Sequence, residues 1–67
     1  MNKYYKLLIF FHRNELLSRD YLMHRPGISE DLIDEAIELG FIKEIDRTDD
    51  GDCRYIITEA GIERRDK

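Results

Sequence analysis

A mixed α+β domain is predicted, with three helices followed by a two-stranded hairpin and a short C-terminal helical turn. Two observations carry this reading. Apolar residues recur at helical spacing up to residue 39, and from residue 41 the period shortens to that of strands around an Asp50-Gly51 turn. The size agrees, since 67 residues make one small domain, and a chain this short buries only about 60% of the surface its unfolded form exposes. Hydrophobic residues at 42% and charged residues at 39%, with four Gly and one Pro, mark a folded module and not a disordered or repetitive segment.

Helix 1 is expected over about residues 2–12. Tyr4, Leu7, Leu8 and Phe11 stand at i, i+3, i+4 and i+7. Ile9 and Phe10 widen that apolar stripe, so the helix either packs against several elements of its own domain or contributes to a dimer. In the dimer reading Tyr4, Tyr5, Phe10 and Phe11 supply the contact.

Asn14 and Glu15 break the pattern, and Ser18 is a candidate cap for helix 2 over about 19–24. Tyr21 and Leu22 face inward with Met23 filling a gap, and Pro26-Gly27 ends the segment. Ser29 repeats the cap before helix 3, about 30–39, where Glu30 and Asp31 sit in the first turn favoured by the helix dipole. Its buried stripe is Leu32, Ile33, Ala36 and Ile37, and truncating Ile37 is expected to unfold so small a core. Gly40 suits the left-handed position that closes a helix.

The hairpin is expected over about 41–57, with FIKEI and CRYII as its strands and Ile42 or Ile45 meeting Tyr55 or Ile57. Thr58 then caps a last turn, about 58–65, which Gly61 and the charged tail are expected to fray early.

This order, with LGFIKEI at the end of helix 3 and YIITEAG on the return of the hairpin, resembles the winged helix-turn-helix superfamily, including MarR-type and PadR-type regulators. The resemblance covers nearly the whole chain. It rests on Gly40-Phe41 closing the third helix, the polar wing from Asp46 to Arg54, and the Ile57-Thr58-Glu59-Ala60-Gly61 exit. Small chains of this shape also resemble regulatory proteins carried by bacteriophages and mobile elements. The resemblance implies a winged-helix regulatory protein linked to transcription or DNA transactions, with helix 3 in the major groove and the wing on the adjacent backbone.

Charge bears on that implication directly. Eleven basic and fifteen acidic residues give a net charge of −4, against the basic balance of most nucleic-acid binders. Helix 3 carries Glu30, Asp31, Asp34, Glu35 and Glu38 and no Lys or Arg, so the common Arg-to-guanine contact has no residue to make it. Phosphate contacts would fall to Arg19, His24, Arg25, Arg47 and Arg54 at its edges. The plainer reading of these five is solvated surface charge and local ion pairing. The second function is therefore a protein-interaction module whose acidic helix 3 meets a basic partner, in place of DNA.

Other chemistry has little support in the sequence. Cys53 is alone, which excludes an internal disulfide and a Cys-based metal site, and no cofactor is expected. The acidic wing fails the EF-hand register, because Ile57 stands where a bidentate Glu is required if Asp46 is the first ligand. His12 and His24 have no Ser or Asp arrangement around them, so no enzyme is expected. The longest apolar run, Leu7 to Phe11, is far short of the roughly 18 residues that span a bilayer, and a cytoplasmic protein without membrane contact is expected.

Overall fold

The computed structural model describes residues 2–66 and is α+β, with four helices and a three-stranded antiparallel sheet. The elements run α1 (Tyr5–Leu8), β1 (Leu17–Ser18), α2 (Arg19–Met23), α3 (Glu30–Glu38), β2 (Ile42–Arg47), β3 (Cys53–Ile57) and α4 (Glu59–Asp66). The sheet order is β1-β3-β2.

α1 is much shorter than the 2–12 expected. Beyond Leu8 the chain tightens, with Phe10 N–H donating to Leu7 O at 3.3 Å and Phe11 N–H to Leu8 O at 3.1 Å, the i to i+3 pattern of a 3₁₀ turn. β-branched Ile9 and the two phenylalanines are mediocre helix formers, and the tighter turn still delivers Phe11 inward. Leu7, Leu8 and Phe11 are completely buried. Asn14 then adopts φ 65°, a left-handed conformation that asparagine tolerates, and turns the chain toward the sheet.

The two serine caps form as their sequence context suggests. Ser18 Oγ accepts from Tyr21 N–H at 3.0 Å and Ser29 Oγ from Leu32 N–H at 3.1 Å. Ser18 also belongs to β1, which sequence periodicity cannot reveal because the strand is two residues long. It pairs Leu17 with Tyr55 and Ser18 with Arg54. Tyr21, expected to face inward, is exposed, as is Met23, and Leu22 alone of α2 reaches the core.

On α3, Leu32, Ile33 and Ala36 are buried, whereas Ile37 is only half-buried against the cluster. The helix is thus rotated slightly from the expected stripe, and Ile33, fully enclosed, takes the central place. Ile42 opposes Ile57 across the hairpin, but Ile45 does not join the core. A bulge between Glu44 and Asp46 leaves it unpaired and exposed.

At the C-terminus the expected bounds hold within a residue, but α4 is a regular helix to Asp66 and not a turn that frays early. Thr58 caps it, its Oγ1 accepting from Gly61 N–H at 3.1 Å. Gly61 is not a weak point here. A Cβ on it would collide with the Phe41 carbonyl oxygen and lie 2.8 Å from Ile57 Cγ1, so glycine is what lets α4 lie against the hairpin. Arg65 Nη1 donating to Phe11 O at 2.8 Å and the Arg13–Glu59 ion pair hold the same helix to the α1 side.

Two substitutions test this packing. Gly61→Ala should lower stability by about 1–3 kcal/mol despite alanine's better helix propensity, because backbone must move to admit the methyl. Ile33→Ala should cost about 2–5 kcal/mol, near the whole reserve of a domain this size, and Ile37→Ala distinctly less. Thermal melts read all three. A Gly61→Ala chain melting above the parent would contradict the close approach.

Candidate functional site

α3 presents its carboxylates outward because Leu32, Ile33 and Ala36 take the inward positions. Glu30, Asp31, Asp34 and Glu38 are exposed and Glu35 is half-buried. Glu30 and Asp31 sit at the positive end of the helix dipole, which favours two acids in the first turn. No basic residue stands in its last turn.

Arg19 opens α2 and reaches across to this helix. Its Nη2 donates to Asp34 Oδ1 at 2.9 Å and to Glu30 Oε1 at 3.3 Å, while Nη1 donates to the Tyr55 hydroxyl at 2.9 Å. The side chain keeps only 23% of its surface exposed. Burial works against the guanidinium charge, but the bonds to Tyr55 and Asp34 outweigh it and hold Arg19 protonated more firmly than a free arginine. Tyr55, buried on β3, has its phenol pushed above the ordinary tyrosine value by burial, with the Arg19 charge opposing the shift in part.

The other expected phosphate contacts are similarly engaged. Arg54 grips Asp46 through Nε at 2.7 Å and Nη2 at 2.5 Å, and this pair holds the Asp46 carboxyl below the usual carboxylate range. Strand alternation puts Arg54 on the sheet face opposite Tyr55, so it does not share a surface with Arg19. Arg47 Nη2 lies 3.8 Å from Glu44 Oε1. The Arg25 guanidinium stacks over the Tyr21 ring at 4.8 Å, and His24 Nδ1 is 2.7 Å from Asp20 O. These five edge residues therefore form no continuous basic surface.

Within the acidic set, Glu30 and Asp34 are partnered by Arg19, and Glu35 accepts from Lys3 Nζ at 2.8 Å. Asp31 and Glu38 have no ion-pair partner among the described residues. Beside the α3 N-terminus a shallow hollow of about 550 Å³ is lined by Arg19, Asp20, Met23, Glu30, Asp50, Gly51 and Asp52. The hairpin tip is fastened to this hollow, with Asp52 Oδ1 accepting from Asp20 N–H at 3.2 Å. Thr48 braces the tip itself through Asp50 and through Asp52 N–H at 3.1 Å. Gly51 at φ 89° permits the turn. Four carboxylates thus ring one arginine, with the exposed Met23 as an apolar wall.

Among the proposed dimer residues the structure separates core from surface. Phe11 is fully buried and cannot meet a partner, because its ring belongs to the central cluster. Tyr4 and Phe10 pack partly against that cluster, Tyr4 edge-on to Phe41 at 5.2 Å, and Tyr5 alone is exposed.

The Arg19–Tyr55 bond escaped sequence reasoning. Its one available signal was the strand period, which places Tyr55 inward beside Cys53 and Ile57 and obliges its hydroxyl to find a partner. Among the described residues no group of three His, Cys, Asp or Glu side chains could hold a metal ion, and no helix is long and apolar enough to cross a membrane.

No family model, curated protein or solved structure matches the chain. What it does has to be read from its own side chains.

The Tyr55 shift gives a pH dependence of known sign. A phenol titrating higher in the folded than in the unfolded chain contributes stability that is complete below the ordinary value of 10.0 and is lost as pH rises through the folded value. Tyrosinate absorbance followed during alkaline titration should show a late component that Tyr55→Phe removes. An unchanged titration curve in that variant would contradict the buried phenol.

Proposed function

We propose that this chain is a winged-helix interaction module whose acidic α3 docks on a basic protein surface, in a regulatory role close to DNA transactions but without α3 reading duplex DNA. The helix-turn-helix pair α2 and α3 followed by the β2–β3 hairpin supports the winged-helix reading. The observation that carries the choice of partner is the state of the charges. Arg19 is engaged by Glu30 and Asp34, Arg54 is clamped by Asp46 on the far face of the sheet, and Asp31 and Glu38 are exposed with no ion-pair partner among the described residues.

Phosphate would meet carboxylates first on such a face, and repulsion between like charges opposes approach before any base edge is reached. A basic protein surface reverses the sign of that field and gains on-rate and orientation from it. The hollow between α2, α3 and the hairpin tip offers an incoming Lys or Arg four carboxylates for its charge and Met23 for its stem.

Fluorescence anisotropy with labelled mixed-sequence duplex at moderate salt tests this reading. The parent should bind no tighter than the nonspecific range of about 10⁻⁴–10⁻⁶ M. An oligo-arginine peptide should bind with marked salt sensitivity. Reversing Asp31 and Glu38 together to Lys should weaken peptide binding and create salt-sensitive DNA affinity, both positions being exposed. Sub-micromolar duplex binding by the parent would overturn the reading.

A further inference from the structure

Asp50 is the one Asp or Asn in the sequence that is followed by glycine, and the pair sits exposed at the hairpin tip. That pairing has a chemistry of its own. The backbone nitrogen after an aspartate can attack the side-chain carbonyl carbon and close a five-membered ring, and glycine in the second place has no Cβ to obstruct the attack. The carboxyl must be neutral for this, since its leaving oxygen departs as water, and the nitrogen must be free to swing toward it.

The folded tip denies both conditions. Gly51 N–H donates to Thr48 O at 2.9 Å, which closes the turn and keeps the nitrogen against the Thr48 carbonyl. Asp50 Oδ1 accepts from the Thr48 hydroxyl and, at 3.4 Å, from Asp52 N–H. The Thr48 hydroxyl foremost, with the Asp52 amide behind it, holds the Asp50 carboxyl below the usual carboxylate range, so its neutral form is scarcer than in an open chain. Thr48 is itself anchored, its N–H donating to Asp52 O at 2.7 Å and its Oγ1 accepting from Asp52 N–H at 3.1 Å.

We propose that Asp50–Gly51 is a modification site, where the chain closes spontaneously to a succinimide and reopens as isoaspartate, and that the Thr48 hydroxyl is the latch restraining this reaction in the folded protein. In the first step Gly51 N bonds to Asp50 Cγ, and the carboxyl hydroxyl leaves with the Gly51 amide proton as water. Water then adds back to the ring. Where it breaks the bond between Gly51 N and the α-carbonyl carbon, the chain runs on through Cγ and the former α-carbonyl becomes the free carboxylate. No oxidant or cofactor is consumed. The isomer has one more carbon in its backbone, and Asp50, Gly51 and Asp52 line the hollow beside α3. Isomerisation therefore reshapes that wall, whatever α3 binds.

Warm incubation of the full chain at neutral pH tests the proposal, with isoaspartate located by peptide mass spectrometry and by labelling with an isoaspartyl methyltransferase. The folded parent should form isoaspartate at Asp50 severalfold more slowly than the same chain held unfolded in urea. Thr48→Val keeps the branched shape and loses the hydroxyl, and it should isomerise severalfold faster than the parent while circular dichroism shows it folded. Thr48→Ser should restore the slow rate, and Asp50→Glu, whose ring would need one more member, should remove the signal. A parent that isomerises as fast folded as unfolded overturns the proposal, and that comparison needs no variant. So does a folded Thr48→Val chain with the parent's rate, or a Thr48→Ser chain as fast as Thr48→Val.

Discussion

The guanidinium of Arg19 sits where α2, α3 and β3 meet, and three otherwise unfavourable circumstances are resolved there at once. The Tyr55 hydroxyl, on a ring buried to 1% exposure, obtains a donor. Glu30 and Asp34, like charges one helical turn apart that would destabilise α3, obtain a shared cation. Arg19 itself obtains three acceptors in exchange for the water it gives up. Removing the arginine would leave a buried hydroxyl unsatisfied and two carboxylates facing each other, which is why this contact matters more than the exposed pairs at Lys3 or Arg47.

The same contact bears on the proposed function. In a domain with so little core, a cation committed to three internal acceptors is a cation withheld from phosphate. α3 can carry five acids because Glu30 and Asp34 are paired from α2 and Glu35 from Lys3, and Asp31 and Glu38 leave negative charge on its outer face. The hairpin follows a similar rule on the other side of the sheet, where Asp46 holds Arg54. Charges that look mixed along the chain are therefore sorted in space.

Elements with a strong local signal were legible in the sequence. Both serine caps, most of the α3 periodicity and the Asp50-Gly51 turn follow from residue types and spacing within a few positions, whereas the hairpin register, with Ile42 opposite Ile57 and Ile45 unpaired, is left open by the sequence. What was hidden depends on neighbours distant in sequence. β1 exists because Leu17 and Ser18 find β3 across more than thirty residues, and two residues have no period to detect. α4 looked frayed because Gly61 lowers helix propensity, and only the Phe41 carbonyl beside it explains its presence. Of the candidate site, the acidic face was visible in the sequence, but the inward turn of Arg19 was not, since nothing near residue 19 announces Tyr55 or Asp34. The aromatic surplus of the first helix was likewise divided between core and surface by the 3₁₀ turn after Leu8.

The central claim is that the outer face of α3 is a surface for basic protein groups and is closed to duplex DNA. Residue-resolved NMR shifts of backbone amides measure it most directly. On titration with the oligo-arginine peptide, amides of α3 and of the hairpin tip around Asp50–Asp52 should move together and saturate, while an equal excess of duplex DNA leaves them in place. Shifts of α3 amides with duplex DNA at moderate salt, and none with the peptide, would contradict the account.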